Sequence, residues 1–167
     1  MSLIRPLLVP VQIVLLTFCL ASAAVAGALV DARLTVALIQ YNGQSEVASA
    51  ATGAKPGDVL EYTARYTNRG NAAADALSPS MPIPTGTEYL PTETVPKPSH
   101  ASLDGTTFAP IPLRRPVQGA DGVVRIVDVP VREYRALRWT VGTLAAGSEA
   151  TVRARVRVAQ LTSLASQ

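Results

Sequence analysis

The sequence predicts an all-β protein, a sandwich or barrel of about eight short strands. Three observations lead there. Short stretches alternate apolar and polar residues with a period of two, the signature of half-buried strands. Turn signals rich in Gly, Pro, Asn and Asp separate them at regular spacing. No segment carries a convincing helical period. The clearest alternation closes the chain, where Leu137 to Val158 reads as two strands joined by a turn at Ala145-Ala146-Gly147-Ser148. Leu137, Trp139 and Val141 form one apolar row. Val152, Ala154, Val156 and Val158 form another, with Arg153, Arg155 and Arg157 on the opposite face. Trp139, the only tryptophan, is expected in the core.

The remaining elements follow in order. Ala32 to Ile39 reads as a first strand, with Leu34, Val36 and Leu38 on one side. Gln40 to Thr52 is polar and small, with Asn42-Gly43 as a turn. Lys55-Pro56-Gly57-Asp58 turns into a strong strand that sets Leu60, Tyr62, Ala64 and Tyr66 against Glu61, Thr63, Arg65 and Thr67. Asn68-Arg69-Gly70-Asn71 reverses the chain, because Asn and Gly tolerate the backbone such turns need. Ala72 to Leu77 returns. Pro82 and Pro84 then forbid a central strand, so that stretch is an edge or a loop. Thr87 to Leu90 is a short strand, and Asp104-Gly105 marks a hairpin within Ala101 to Phe108. Ala109 to Gly122, with Pro110, Pro112 and Pro116, reads as irregular. Val123 to Val131 is strand-like again. Leu60, Tyr62, Tyr66, Trp139, Val156 and Val158 are the expected core.

The first 26 residues read as an address. Arg5 is followed by an almost wholly apolar run from Leu7 to Leu20. Ala21-Ser22-Ala23 and Ala24-Val25-Ala26 offer the small-x-small pattern of a signal peptidase site. Residues 1–26 are therefore expected to be a signal peptide and 27–167 a single domain. The competing reading is a retained anchor, since Leu7 to Val30 is long enough to span a bilayer. The single cysteine, Cys19, lies in this run, so its cleavage leaves no thiol for a disulfide or a thiolate metal site. A domain of about 140 residues buries roughly two-thirds of its unfolded surface and needs neither.

Fifteen basic residues against twelve acidic ones give +3, or +2 once Arg5 is removed, too small an excess to imply nucleic acid. Chemistry-bearing constellations are sparse. His100 is the one histidine, and a nucleophilic triad needs it beside a serine and a carboxylate. Ser99 and Ser102 are near in sequence, yet adjacent side chains on a strand point to opposite faces. One histidine falls short of a zinc site. Asp104, Asp121 and Asp128 lack the density of a calcium loop and read as turn formers. Two stretches qualify as binding surfaces: the stripe Arg153, Arg155 and Arg157, at about 7 Å intervals, and the proline-rich region from Pro79 to Pro116.

Four segments resemble one family. Lys55-Pro56-Gly57-Asp58 with Tyr62-Thr63 and Asn68-Arg69-Gly70 resembles the opening of the bacterial conserved-repeat surface domain, also called domain of unknown function eleven. Ile83-Pro84-Thr85-Gly86-Thr87-Glu88-Tyr89 and Ser102-Leu103-Asp104-Gly105-Thr106-Thr107-Phe108 are similar to its middle segments. Leu137-Arg138-Trp139 through Gly142, Gly147 and Val156 is similar to its close, with Ala146 where the family has proline. The resemblance spans about residues 32–158 in a single copy. It implies an immunoglobulin-like β-sandwich of about seven to eight antiparallel strands on an exported protein, and no catalytic residues. The expected function is non-catalytic protein–protein interaction in the bacterial cell envelope, as a surface or assembly component in the periplasm, at the cell surface or outside the cell. No cofactor, metal or nucleic-acid partner is expected, and membrane contact only through an uncleaved signal segment. The alternative is a carbohydrate- or small-ligand-binding module, which would need Tyr41, Tyr89 and Tyr134 exposed together.

Overall fold

A computed structural model describes residues 27–160. The expected signal peptide, Cys19 and the last seven residues of the expected domain lie outside the described residues. Thirteen strands and two short 3-10 turns occupy the described chain. The principal sheet is antiparallel and five-stranded. It contains β1 (Val30–Asn42), β2 (Ser45–Ala50), β3 (Val59–Asn68), β6 (Thr87–Tyr89) and β13 (Glu149–Val158), in the order β2-β1-β3-β13-β6. A four-stranded sheet, ordered β5-β11-β7-β8, holds β5 (Ser80–Pro82), β7 (His100–Ser102), β8 (Phe108–Pro110) and β11 (Ala136–Arg138). Two ribbons complete the fold: β4 (Ala74–Leu77) with β12 (Gly142–Leu144), and β9 (Arg114–Gln118) with β10 (Val124–Asp128).

Register decides which residues enter the core. In β3 and β13, Leu60 pairs with Val156, Tyr62 with Ala154 and Ala64 with Val152. All six therefore share one face, and they pack with Met81, Ala101, Leu137 and Trp139 from the opposing side. Leu60, Trp139 and Val156 are buried as expected. Tyr62, Tyr66 and Val158 are partly buried against the same cluster. The Trp139 ring is 2% exposed, and its Nε1–H donates to the Pro96 carbonyl at 2.7 Å. The one polar group of the ring is thereby satisfied.

The structure differs from the sequence reading in four places. The polar segment after Asn42 is a strand, β2, joined to β1 by the two-residue loop Gly43-Gln44. All six β2 residues are exposed at a sheet edge, so no apolar alternation marked them. The irregular stretch around Pro116 contains β9. Pro116 faces Ile126, whereas the flanking rungs are Gly119 N–H to Val123 O and Val129 N–H to Leu113 O. Pro116 therefore occupies a non-hydrogen-bonded pair, where its missing N–H is not needed. The closing strands turn at Ala145–Ser148 as expected, but they do not join one sheet. β11 lies in the four-stranded sheet, β12 pairs with β4, and only β13 belongs to the principal sheet. The strand count is accordingly thirteen, not about eight.

Asn68 ties these parts together. It is fully buried at the end of β3. Its amide nitrogen donates to Ala72 O at 2.8 Å and Leu144 O at 2.9 Å. Its side-chain oxygen accepts from Gly70 N–H at 3.0 Å and Leu29 N–H at 3.3 Å. One side chain thus links the chain before β1, the β3–β4 turn and β12.

Candidate interaction sites

The arginine stripe lies on the outer face of the principal sheet, with its three members in different situations. Arg155 stands opposite Glu61 across the β13–β3 pair. Its Nε donates to Glu61 at 2.7 Å. Its two terminal nitrogens fork onto both oxygens of Glu46 at 2.7 Å each, and Glu93 lies 3.5 Å away. The Arg155 side chain is only 13% exposed. Bidentate guanidinium–carboxylate geometry is a strong form of ion pair. The fork from Arg155, helped by the Tyr41 hydroxyl at 2.9 Å, holds the Glu46 carboxyl down to about 2. Glu46 in turn raises the Arg155 guanidinium further, against the opposing effect of burial. Arg155 is therefore an internal clamp joining β13, β3, β2 and the turn after β6, and it is withdrawn from any contact with an acidic partner. Arg153 and Arg157 remain exposed, opposite Thr63 and Val59.

A second surface is the β9–β10 hairpin. Every residue of both strands is exposed. Val124, Ile126 and Pro116 share one face, with Val124 61% and Ile126 66% exposed. Isolated two-stranded ribbons are marginal in water, and three devices hold this one. A three-residue loop turns it, with Gly122 at a φ of 76° completing the turn. Arg114–Asp128 and Arg115–Glu133 ion pairs brace it. Its base is rooted in the core by buried Leu113 and Val129, where the Tyr134 hydroxyl accepts the Leu113 N–H at 3.1 Å. The hairpin is thus fixed at its root and projects an apolar face.

The remaining candidates resolve into structural roles. His100 Nδ1 lies 2.9 Å from Ser99 Oγ, so the expectation that strand alternation separates these side chains is corrected. Ser99 sits just before β7, where alternation does not govern. Ser99 Oγ also reaches Thr140 Oγ1 at 3.0 Å and the Arg138 carbonyl at 3.3 Å, and among the described residues His100 has no carboxylate partner. Asp104 accepts the N–H groups of Thr107 and Thr106 and the Ser102 hydroxyl, which hold its carboxyl far below the usual range. Asp121 is engaged by Arg125 and the Val123 N–H, and Asp128 by Arg114. These are turn and brace roles. Among the described residues no three His, Cys, Asp or Glu come together as a metal set, and no helix is long and apolar enough to cross a membrane. Within the Pro79–Pro116 region, Tyr89 is buried and stacks on buried Tyr134 at 6.4 Å. Tyr41 alone of the three tyrosines is exposed.

The hairpin's projecting face and the carboxylates of Arg155 escaped sequence reading. Pro116 masked β9. Glu46, Glu61 and Glu93 lie 109, 94 and 62 residues from Arg155, a convergence that only the sheet order creates. Comparison with protein-family models, curated proteins and solved structures finds no match.

Proposed function

We propose that this chain is an exported, non-catalytic protein of the bacterial cell envelope, built on an immunoglobulin-like sandwich of the conserved-repeat type. It acts by binding a protein partner through the β9–β10 hairpin. The observation that carries this reading is the exposed Val124–Ile126–Pro116 face on a hairpin braced at its root. Exposed apolar surface on a rigid projection is what a protein interface uses for its anchor residues. The apolar, alanine-ended residues 1–26 support export, and the four family-like segments support the immunoglobulin-like assignment. The carbohydrate-module alternative is not favoured, because Tyr89 and Tyr134 are packed inside and leave no aromatic platform with Tyr41.

The test is chemical crosslinking in intact cells of the native host with a C-terminally tagged chain, captured and read by mass spectrometry together with its mature N-terminus. The expected result is one reproducible envelope protein captured by the wild type and lost with Val124→Asp/Ile126→Asp. Capture of that protein undiminished by the double substitution, or capture of glycan alone, overturns the proposal.

A further inference from the structure

β1 is thirteen residues long, but β2 pairs with it only from Ala37 to Asn42. Among the described residues nothing pairs with the other half, Val30 to Val36, on that side. The opposite edge of the sheet is treated differently. Beyond β6, the Leu90 N–H reaches the Arg155 carbonyl, and Thr94 Oγ1 and the Val95 carbonyl accept the N–H groups of Arg155 and Arg153. One edge is closed and the other is open.

The open edge has a defined pattern. Arg69 N–H donates to Leu29 O and Asn71 N–H to Gly27 O, so odd-numbered residues of this strand bond toward β3. By alternation, the N–H and C=O groups of Val30, Ala32, Leu34 and Val36 point to the free side. The row Ala32, Leu34 and Val36 faces the inner side of the sheet yet is uncovered, with Leu34 57% and Val36 43% exposed. Proteins usually block such edges with inward charges, proline or a bulge, and this row has none. On the outer side Arg33 stands directly opposite Arg65, a like-charge pair, and has no carboxylate partner among the described residues.

We propose that this edge pairs with the same edge of a second copy, antiparallel, about a two-fold axis at Ala32. Every register centred on a residue keeps the apolar row on one face, and centring on Asp31 sets that carboxylate against its own copy. Centring on Arg33 sets Arg33 against its own copy. Centring on Leu34 drives Asp31 to the position opposite Ala37, which Ala50 of β2 already fills. Centring on Ala32 avoids the like-charge pair, and only Gly27, outside β1, falls opposite Ala37 and must turn aside there. It places Asp31 opposite Arg33 twice, in the non-hydrogen-bonded pairs where side chains approach most closely. Ala32 meets Ala32, and Val30 meets Leu34, in the hydrogen-bonded pairs. The interface is isologous and closes on itself. Asp31 already pairs with exposed Arg69 of its own chain at 2.6 Å, and the seam lets it be shared with Arg33 of the second copy. The seam also covers Leu34 and satisfies the open backbone groups.

The test is sedimentation equilibrium of protein purified from cells expressing the full chain, over a range reaching about 500 µM, because a single strand seam is at the small end of interfaces. The expected result is a reversible dimer. Asp31→Arg and Arg33→Asp each weaken it about tenfold, the combined reversal restores it to within about threefold, and Leu34→Lys gives monomer. Asp31, Arg33 and Leu34 are exposed, and circular dichroism checks that each variant folds. Monomer throughout, a dimer indifferent to the single reversals, or no recovery in the combined variant overturns the proposal. The assay needs no envelope partner, so its outcome is independent of the hairpin reading.

Discussion

Replacing Asn68 by alanine removes the side chain that joins three segments, and the structure sets the size of the effect. Four hydrogen bonds disappear, two donated to Ala72 O and Leu144 O and two accepted from Gly70 and Leu29 N–H. Each net bond is worth about 1 kcal/mol, so the sum is roughly 4 kcal/mol. Three of the four partners are part-buried, and water re-satisfies some of them, which lowers the expected loss to about 3 kcal/mol. The assay is urea unfolding followed by circular dichroism, with the midpoint shifted and the slope unchanged. For a domain of this size the melting temperature falls by roughly 10 °C. Asn68→Asp adds a pH signature. It keeps the two accepted bonds but turns a carboxylate toward two carbonyls, so its folded pKa is raised above the unfolded value. Its stability is then highest in acid and falls as pH rises through the folded pKa. A loss under about 1 kcal/mol for Asn68→Ala, or an Asn68→Asp variant that improves with rising pH, would refute the idea that Asn68 is the junction.

Other substitutions probe other layers. Trp139→Ala costs about 3–5 kcal/mol, and the native protein shows a blue-shifted tryptophan emission that moves to the water-exposed maximum on unfolding. Gly70→Ala brings a methyl group onto the Gly27 carbonyl and within 2.6 Å of Leu29 N, so amide exchange accelerates around Leu29 and Arg69 and stability falls by about 1–3 kcal/mol. Arg155→Met changes acid behaviour. The Glu46 carboxyl is held at about 2 against an unperturbed 4.5, so the wild type keeps this contribution above 4.5 and loses it as pH falls toward 2. The variant lacks that loss and leaves Glu46, Glu61 and Glu93 repelling one another at neutral pH, so acid titration narrows its gap from the wild type.

Much of the fold was legible because burial writes itself into alternation. β3 and β13 carry strict period-two patterns, and both lie centrally in the principal sheet with one face in the core. The Asp104-Gly105 hairpin was legible for a local reason, since Asp104 itself accepts the turn's N–H groups. β2 was not, because an edge strand exposed along its whole length has no apolar residues to hide. Sheet membership was not legible either. Leu137 and Val156 alternate alike but face the core from opposite sheets. The arginine stripe shows the same limit. Spacing placed the three side chains on one face correctly, but the carboxylates that occupy Arg155 arrive from β2, β3 and the turn after β6 through long-range pairing. Asn68 read as a turn former, which is its backbone role. Its larger role needs Leu29 and Leu144, which sequence separation conceals.

Under the proposed function, contact with an envelope protein runs through the β9–β10 hairpin. The most direct measurement installs a photo-crosslinking amino acid singly at Ile126, at Arg153 and at Thr143, and irradiates intact host cells. The expected result is a discrete adduct to one envelope protein from Ile126 and none of that mass from Arg153 or Thr143. An adduct to that protein from Arg153 with none from Ile126, or no protein adduct from the hairpin at all, contradicts it.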